Sequence, residues 1–187
     1  MKHLTQFITE YIVKKKLEKP VDSEKHYEYF PKTKEELQDI IKQLLDSGET
    51  NLNCIDTSNI TNMTYLFGAI DDIENANFDV SEWDVSNVND MSYMFHGCKN
   101  FDCDLSSWDV SNVTDMQYMF KNCYEFTGNG LDNWDVSNVK NMNRMFKDCK
   151  NFEGNGLENW NVKNVKTMSS MFYGCNKLKN IPSWYKD

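Results

Sequence analysis

The sequence predicts an α/β solenoid, in which a parallel strand ladder and short helices form successive coils behind an N-terminal helical cap. Tryptophan recurs at a near-constant spacing, at positions 83, 108, 134, 160 and 184. The same phrase follows each of the first four, as in WDVSNVTDMQYMFKNC from Trp108, and a degenerate copy begins at Ile55. A unit of about 26 residues cannot bury its apolar face alone, so neighbouring copies must stack on one another.

The first domain, residues 1–50, does not repeat and is predicted to supply a helical segment and the cap. Thr33 and Glu36 form a capping box, apolar residues follow on one face, and Gly48 favours a helix end. The sequence therefore predicts a helix over 33–47. This helix would cover the first coil, because the exposed end of a stacked core promotes aggregation.

A second amphipathic helix is predicted over residues 4–19. Its apolar positions include Phe7, Ile8 and Tyr11, which are predicted to dock on the cap or on a partner. The segment is therefore a candidate docking element that is separate from the repeats.

The second domain, residues 51–187, is predicted to contain about five coils and a terminal strand. Each coil opens with apolar residues that alternate with polar ones, as at Leu105, Trp108 and Val110. This pattern is typical of a strand with one buried face. The last strand, which ends near Trp184, contains a proline, and an edge strand tolerates proline.

The second half of each copy has a helical spacing of apolar residues. Asn112 is placed to cap such a helix, and Asp115 adds negative charge near its N-terminus. The methionine, phenylalanine and cysteine columns are predicted to fill the core, with the cysteines as free thiols rather than disulfides or zinc ligands. The apolar residues of one predicted helix are Val113, Met116, Met119, Phe120 and Cys123.

Charge and composition argue against several classes of function. The formal net charge of -9 argues against nucleic acid as the main partner. No apolar run reaches the ~18 residues that a membrane helix needs, and no apolar h-region marks an export signal. We therefore expect a cytoplasmic or virion-associated protein rather than one at the cell surface. The histidines are scattered, and we expect no enzymatic activity, no cofactor and no metal.

The phrase WDVSNVxxMxxMFxxC, with its period near 26, resembles the bacterial surface protein 26-residue repeat, or BspA-like leucine-rich repeat. The resemblance covers about residues 52–184. It implies a solenoid of leucine-rich-repeat type that acts as an interaction module without catalysis. Many members of that family are secreted or lipid-anchored.

The side chains between the buried positions of the predicted strands form a candidate binding face. Because this face is acidic, it favours a basic protein partner and salt-sensitive association. The aspartates near Asp109 are interpreted as hydrogen-bond acceptors for the turns that follow them, with a row for cations or a basic partner as the alternative. The oligomeric state is left open. The candidate binding residues are Glu82, Asp84, Ser107, Asp109, Asn133, Asp135, Asn159 and Asn161.

Two other functions remain open at the level of sequence. The opening MKHLTQFITE is similar to the capsid-targeting peptides of T-even-like phage head proteins, with Phe7, Ile8 and Glu10 at the matching positions. This similarity implies a phage structural or packaged head protein. The tryptophan row, if it were exposed, could instead stack on sugars and make the repeats a carbohydrate-binding module.

Overall fold

The computed structural model describes residues 26–187. Within this range the chain forms one α-helix, α1 (Lys34–Asp46), and four short 3₁₀ turns. The predicted helix over 4–19, with its docking residues Phe7, Ile8 and Tyr11, lies outside the described residues. The 3₁₀ turns are Leu52–Cys54, Ile73–Asn75, Leu131–Asn133 and Leu157–Asn159.

The helix predicted over 33–47 is present as α1. Thr33 Oγ1 accepts a hydrogen bond from the Glu36 backbone N–H at 3.2 Å, which satisfies one of the unpaired amides of the first turn. Gly48, at φ 87°, takes the left-handed conformation that ends the helix. The buried face of α1 consists of Leu37, Ile40 and Ile41.

Side chains of α1 also contact the first repeat copy. Lys34 Nζ donates to the Thr64 carbonyl at 3.2 Å, and Gln38 Nε2 donates to the Leu66 carbonyl at 3.0 Å. Apolar packing and these hydrogen bonds together hold α1 against the first copy.

The prediction of an α/β solenoid with a parallel strand ladder is wrong. Residues 26–187 contain no β-strand, and parallel pairing between copies is limited to isolated bridges such as Asp90 with Asp115. In the predicted strand, the Trp108 backbone N–H donates to the Leu105 carbonyl at 3.2 Å, so a tight turn interrupts the extended chain. The indole makes the contact to the preceding copy instead, because Trp108 Nε1 donates to the Val80 carbonyl at 3.0 Å.

The short helices predicted within the copies are also absent from the described residues. The segment from Met116 to Cys123 forms three overlapping tight turns. They are closed by the N–H groups of Met119, Lys121 and Cys123, which donate to the carbonyls three residues earlier at 3.3, 3.1 and 3.0 Å. Tyr118 and Asn122 have φ of 57° and 64°, which no α-helix admits. The spacing of the apolar residues was interpreted correctly as an inward face, but the backbone that produces it is different.

This backbone directs alternate amides toward the next copy. The N–H groups of Met116, Tyr118 and Phe120 donate to carbonyls of residues 141, 143 and 145 at 2.9 Å each. In an α-helix the same amides would bond to carbonyls four residues earlier. Hydrogen bonds between copies therefore replace those of the predicted helix.

The predicted core columns are buried except in the last copy, where Met168, Cys175 and Trp184 are half-buried. Met119 and Phe120 are fully buried, and the Phe120 ring lies 5.4 Å from Phe95 and 5.6 Å from Phe146, between centroids. The Trp108 ring is 4% exposed and stacks on Trp134 at 6.3 Å. The core is thus a set of aromatic and methionine columns that run through the copies.

The prediction of free, buried thiols is confirmed for Cys98, Cys123 and Cys149. Cys123 Sγ donates to the Phe95 carbonyl at 3.0 Å, so the thiols also link neighbouring copies. Cys175 is free but only half-buried. No helix in residues 26–187 has the length and apolar character that a membrane crossing requires.

Candidate interaction surfaces

The predicted binding residues lie at the surface on turns, and not on a strand face as the sequence predicted. They occupy two equivalent positions in successive copies, on either side of the buried tryptophan. Asp84 is half-buried, and the other seven are exposed: Glu82, Ser107, Asp109, Asn133, Asp135, Asn159 and Asn161. We call these eight residues the polar row.

The aspartates of the polar row close the turns that follow them. Asp109 Oδ1 accepts the Ser111 backbone N–H at 3.0 Å, and Asp135 Oδ1 accepts the Ser137 N–H at 2.9 Å. The interpretation of these carboxylates as hydrogen-bond acceptors is therefore confirmed. Hydrogen bonds from Ser137 also lower the pKa of the Asp135 carboxyl below its ordinary value.

An acidic groove of about 530 Å³ adjoins the polar row. Its charged lining residues are all carboxylates, Asp102, Asp104, Asp132 and Glu153, with no lysine or arginine among them. Gly130, at φ 85°, lies so close to the neighbouring copy that a Cβ atom would stand 2.2 Å from the Ser106 backbone nitrogen. Sequence reasoning missed this groove, although the phrase GNG before Leu131 and Leu157 marks its wall.

A second surface combines tyrosines with cations. Tyr93 and Tyr118 stack with centroids 4.5 Å apart and planes 10° apart. Arg144 Nη1 donates to the Tyr118 hydroxyl, and its guanidinium carbon lies 5.5 Å from the Tyr118 ring centroid. Lys121 Nζ lies 5.4 Å from the same centroid. We call this surface the tyrosine–cation ridge; it consists of Tyr65, Tyr93, His96, Tyr118, Lys121 and Arg144.

Residues 35–130 and 125–186 match the family described as Mycoplasma protein of unknown function, DUF285. The chain belongs to the DUF285 family. The matched segments include nearly all of α1 and the repeat copies, so the polar row, the groove and the ridge all lie in DUF285 sequence. No curated protein and no solved structure matches the chain.

His96 is the titratable centre of the DUF285 ridge. Its ring lies 5.8 Å from Tyr93 and 6.5 Å from Tyr65, between centroids, and its Nε2 has no hydrogen-bond partner among the described residues. Burial, with a smaller contribution from the Lys121 charge, lowers the pKa of His96. The imidazole is therefore neutral at physiological pH.

Sequence reasoning on this DUF285 chain also missed the ridge. The signal was present as the third residue of each MxxM phrase and of its counterpart MTYL in the first copy. This residue is Tyr65, Tyr93, Tyr118, Arg144 and Ser170 in successive copies. Because that phrase was interpreted as a helix, a role was predicted for its inward methionines and not for the residue between them.

The described residues of this DUF285 protein include no group of three or more His, Cys, Asp or Glu side chains that could hold a metal ion. Burial raises the pKa of the Cys98 and Cys149 thiols, which are therefore poor nucleophiles. The absence of enzymatic activity stays a prediction.

Proposed function

We propose that this DUF285 protein is a non-catalytic interaction module that binds a basic segment of a partner protein at the polar row and the acidic groove. The acidic groove is the observation that supports it most directly. A volume of about 530 Å³ whose charged lining residues are all carboxylates suits lysine or arginine side chains. Glu153 is already paired with Lys179 Nζ at 2.6 Å, so Asp102, Asp104 and Asp132 supply the charge for a ligand. The resemblance to the bacterial surface protein repeat adds support for an interaction role.

The turns of the polar row prepare the carboxylates for binding. Each hydrogen bond from a following backbone amide, such as Ser111 N–H to Asp109 at 3.0 Å, restricts the carboxylate before a partner arrives. Side chains that are ordered in the free protein lose less entropy on association. Long-range attraction to a basic surface would also raise the association rate at low salt.

Charge and turn geometry can be separated by experiment, because asparagine keeps the acceptor oxygen and removes the charge. One variant carries Asp109→Asn and Asp135→Asn in the polar row, and the other carries Asp104→Asn and Asp132→Asn in the groove. The probe is a fluorescein-labelled lysine–alanine peptide, and binding is read by fluorescence anisotropy. We expect each double variant to weaken binding about three- to tenfold.

The matched control removes the same charge elsewhere, with Glu35→Gln and Asp71→Asn, both of which are exposed. Its affinity should stay near that of the parent at equal ionic strength. An equal loss in the control would show that net charge alone attracts the peptide, and the proposal would be wrong.

The two alternative functions receive no support from the described residues. The targeting-peptide hypothesis depends on residues 1–10, which lie outside the described range. The carbohydrate hypothesis depends on exposed tryptophans, whereas Trp83, Trp108, Trp134 and Trp160 are 2–4% exposed.

A further inference from the structure

We infer that the tyrosine–cation ridge is a second binding site, which takes an acidic, extended segment of a protein partner. The site is distinct from the acidic groove and does not depend on the function proposed for that groove. Three observations support it: the backbone conformation, positive charge that no acid of residues 26–187 neutralises, and the stacking of the rings.

The backbone conformation does not favour tyrosine at the positions of the ridge. The MxxMFxxC segment of each complete copy has two positions with positive φ, where glycine, asparagine and aspartate are favoured. The second position follows this rule, with Gly97, Asn122, Asp148 and Gly174. The first position breaks it, with φ of 53–59° at Tyr65, Tyr93, Tyr118, Arg144 and Ser170.

The cost of this conformation is about 1 kcal/mol or more for each bulky residue, and such strained residues cluster at functional sites. The core does not require these side chains, because Tyr65 is 44% exposed and Tyr93 and Tyr118 are only half-buried. Neither local conformation nor burial therefore accounts for a row of tyrosines at this position.

Within residues 26–187, the positive charges of the ridge have no carboxylate partner. Lys121 and Arg144 lie against the Tyr118 ring, and neither forms a salt bridge with an acid of residues 26–187. The chain as a whole has 29 acidic and 20 basic residues, so two neighbouring cations without an acidic partner in the described range are unusual. Their charge is available to an anionic ligand.

The rings favour a peptide over a stacked base or sugar. The Tyr93 ring covers one face of the Tyr118 ring, with the two centroids 4.5 Å apart. The Arg144 guanidinium and the Lys121 ammonium lie near the same Tyr118 ring. A nucleobase or sugar would need an open ring face. The ring edges, the hydroxyls and the cations of the ridge remain accessible to a ligand. These groups suit the carboxylate side chains of a peptide that runs along successive copies.

Tyrosine and arginine are also the residue types that dominate protein interfaces energetically. Here they are ordered by stacking before a ligand arrives, so little side-chain entropy is lost on binding. A linear row of such side chains fits an extended segment, whose alternate residues point to one face.

The test uses a fluorescein-labelled glutamate–alanine peptide, with the glutamine–alanine peptide as the uncharged control probe. We expect saturable binding of the glutamate peptide to the full chain at low salt. The double variant Lys121→Gln with Arg144→Gln should weaken it about tenfold. The control variant Lys163→Gln with Lys177→Gln removes the same charge at exposed positions and should bind like the parent.

A ring variant separates the tyrosines from the charges. Tyr93→Ala should weaken binding of the glutamate peptide without any change in net charge, and Tyr93→Phe should restore most of it because the ring is kept. Thermal melting of both variants checks that they are folded.

Three outcomes would overturn the inference: absence of binding to the parent, equal loss in the Lys163/Lys177 control, or full binding by a folded Tyr93→Ala variant. Oligo-dT and a sulfated oligosaccharide serve as competitors. If either binds at the ridge and the glutamate peptide does not, the assignment to a protein segment is wrong. The variants of the acidic groove should leave this binding intact, so the two proposals fail separately.

Discussion

At the residue scale, the aspartates of the polar row combine a structural and a functional role in one side chain. Asp109 contributes an acceptor to its own turn through Ser111 N–H and a negative charge to the surface. Asn161 occupies the same position in a later copy and receives the Lys163 N–H at 3.5 Å. The repeat itself therefore shows that the turn tolerates the loss of charge.

Substitution of Asp109 should separate these roles in stability measurements. We expect Asp109→Asn to leave the free energy of unfolding nearly unchanged, because the amide oxygen still accepts the Ser111 N–H. Asp109→Ala removes the acceptor and should lower the free energy of unfolding by about 0.5–1.5 kcal/mol. Urea denaturation measures both variants, and a clear loss in Asp109→Asn would mean that the charge itself stabilises the fold.

His96 should make stability depend on pH. Its pKa in the folded protein lies below the ordinary value, owing to burial and to the Lys121 charge. As the pH falls below about 6.5, the unfolded chain binds a proton at this residue before the folded chain does, so the folded state loses stability. Burial raises the pKa of Tyr93, a neighbouring ring, so its hydroxyl stays neutral in this range.

The measurement compares the parent with His96→Asn by thermal melting between about pH 7 and pH 5. The parent should lose more stability than the variant over this interval. Parallel pH profiles for the two proteins would contradict the assignment of a lowered pKa.

At the scale of elements, the sequence was sufficient for α1 and for the inward side chains, but not for the backbone of the repeats. The capping box at Thr33 is a local signal, and α1 formed where it predicted. Trp108, Met119 and Phe120 are buried as predicted, because apolar side chains leave water whatever the backbone conformation.

The strand and helix predictions failed because tight turns give the same apolar spacing. Asp109 and Asp115 accept the backbone N–H two residues later, at 3.0 and 2.8 Å, and this local bond competes with strand or helix hydrogen bonds. The spacing of Met116, Met119 and Phe120 cannot distinguish a helix from a series of tight turns whose alternate amides bond to the next copy.

The indole hydrogen bond should contribute more inside the repeats than at the last copy. Trp108 Nε1 bonds to the Val80 carbonyl at 3.0 Å in a buried site, whereas Trp184 Nε1 bonds to Leu157 at 2.8 Å in a half-buried one. Trp108→Phe removes one of the two hydrogen bonds that the Val80 carbonyl accepts, because the Trp83 backbone N–H still donates to it at 3.1 Å, and should cost about 0.5–1.5 kcal/mol. Trp184→Phe should cost less, since water can replace the indole.

Chemical denaturation of both phenylalanine variants tests this difference. Equal losses of stability at the two positions would show that ring packing, and not the hydrogen bond, dominates the contribution of the tryptophan.

At the scale of the whole molecule, a single apolar core extends from α1 through the repeat copies. Met119 lies in its middle and is fully buried. Met119→Asp would place an unpaired charge there and should lower the free energy of unfolding by about 3–5 kcal/mol. The control is Asn133→Asp, which adds the same charge at an exposed position and should change stability little.

Calorimetry compares both variants with the parent. A Met119→Asp variant that melts like the parent would mean that the methionine columns do not form the core.

The candidate surfaces could be predicted only in part from the sequence. The polar row was found because its residues alternate with buried tryptophans and valines. The groove and the ridge were missed because they depend on positive φ at Gly130 and Tyr118, which place side chains of neighbouring copies together. Such contacts between copies follow from backbone geometry rather than from spacing along the chain.

The tryptophan column has an optical consequence. Trp108, Trp134, Trp160 and Trp184 lie 6.2–6.4 Å apart between ring centroids, with planes within 3–9° of parallel. At such separations an excited indole passes its energy to the next one before it emits light. Because the ring planes are nearly parallel and each indole donates to the equivalent carbonyl of the preceding copy, this transfer turns the emitting dipole little. The emitted light therefore keeps most of the polarisation of the exciting beam even after the energy has moved along the column.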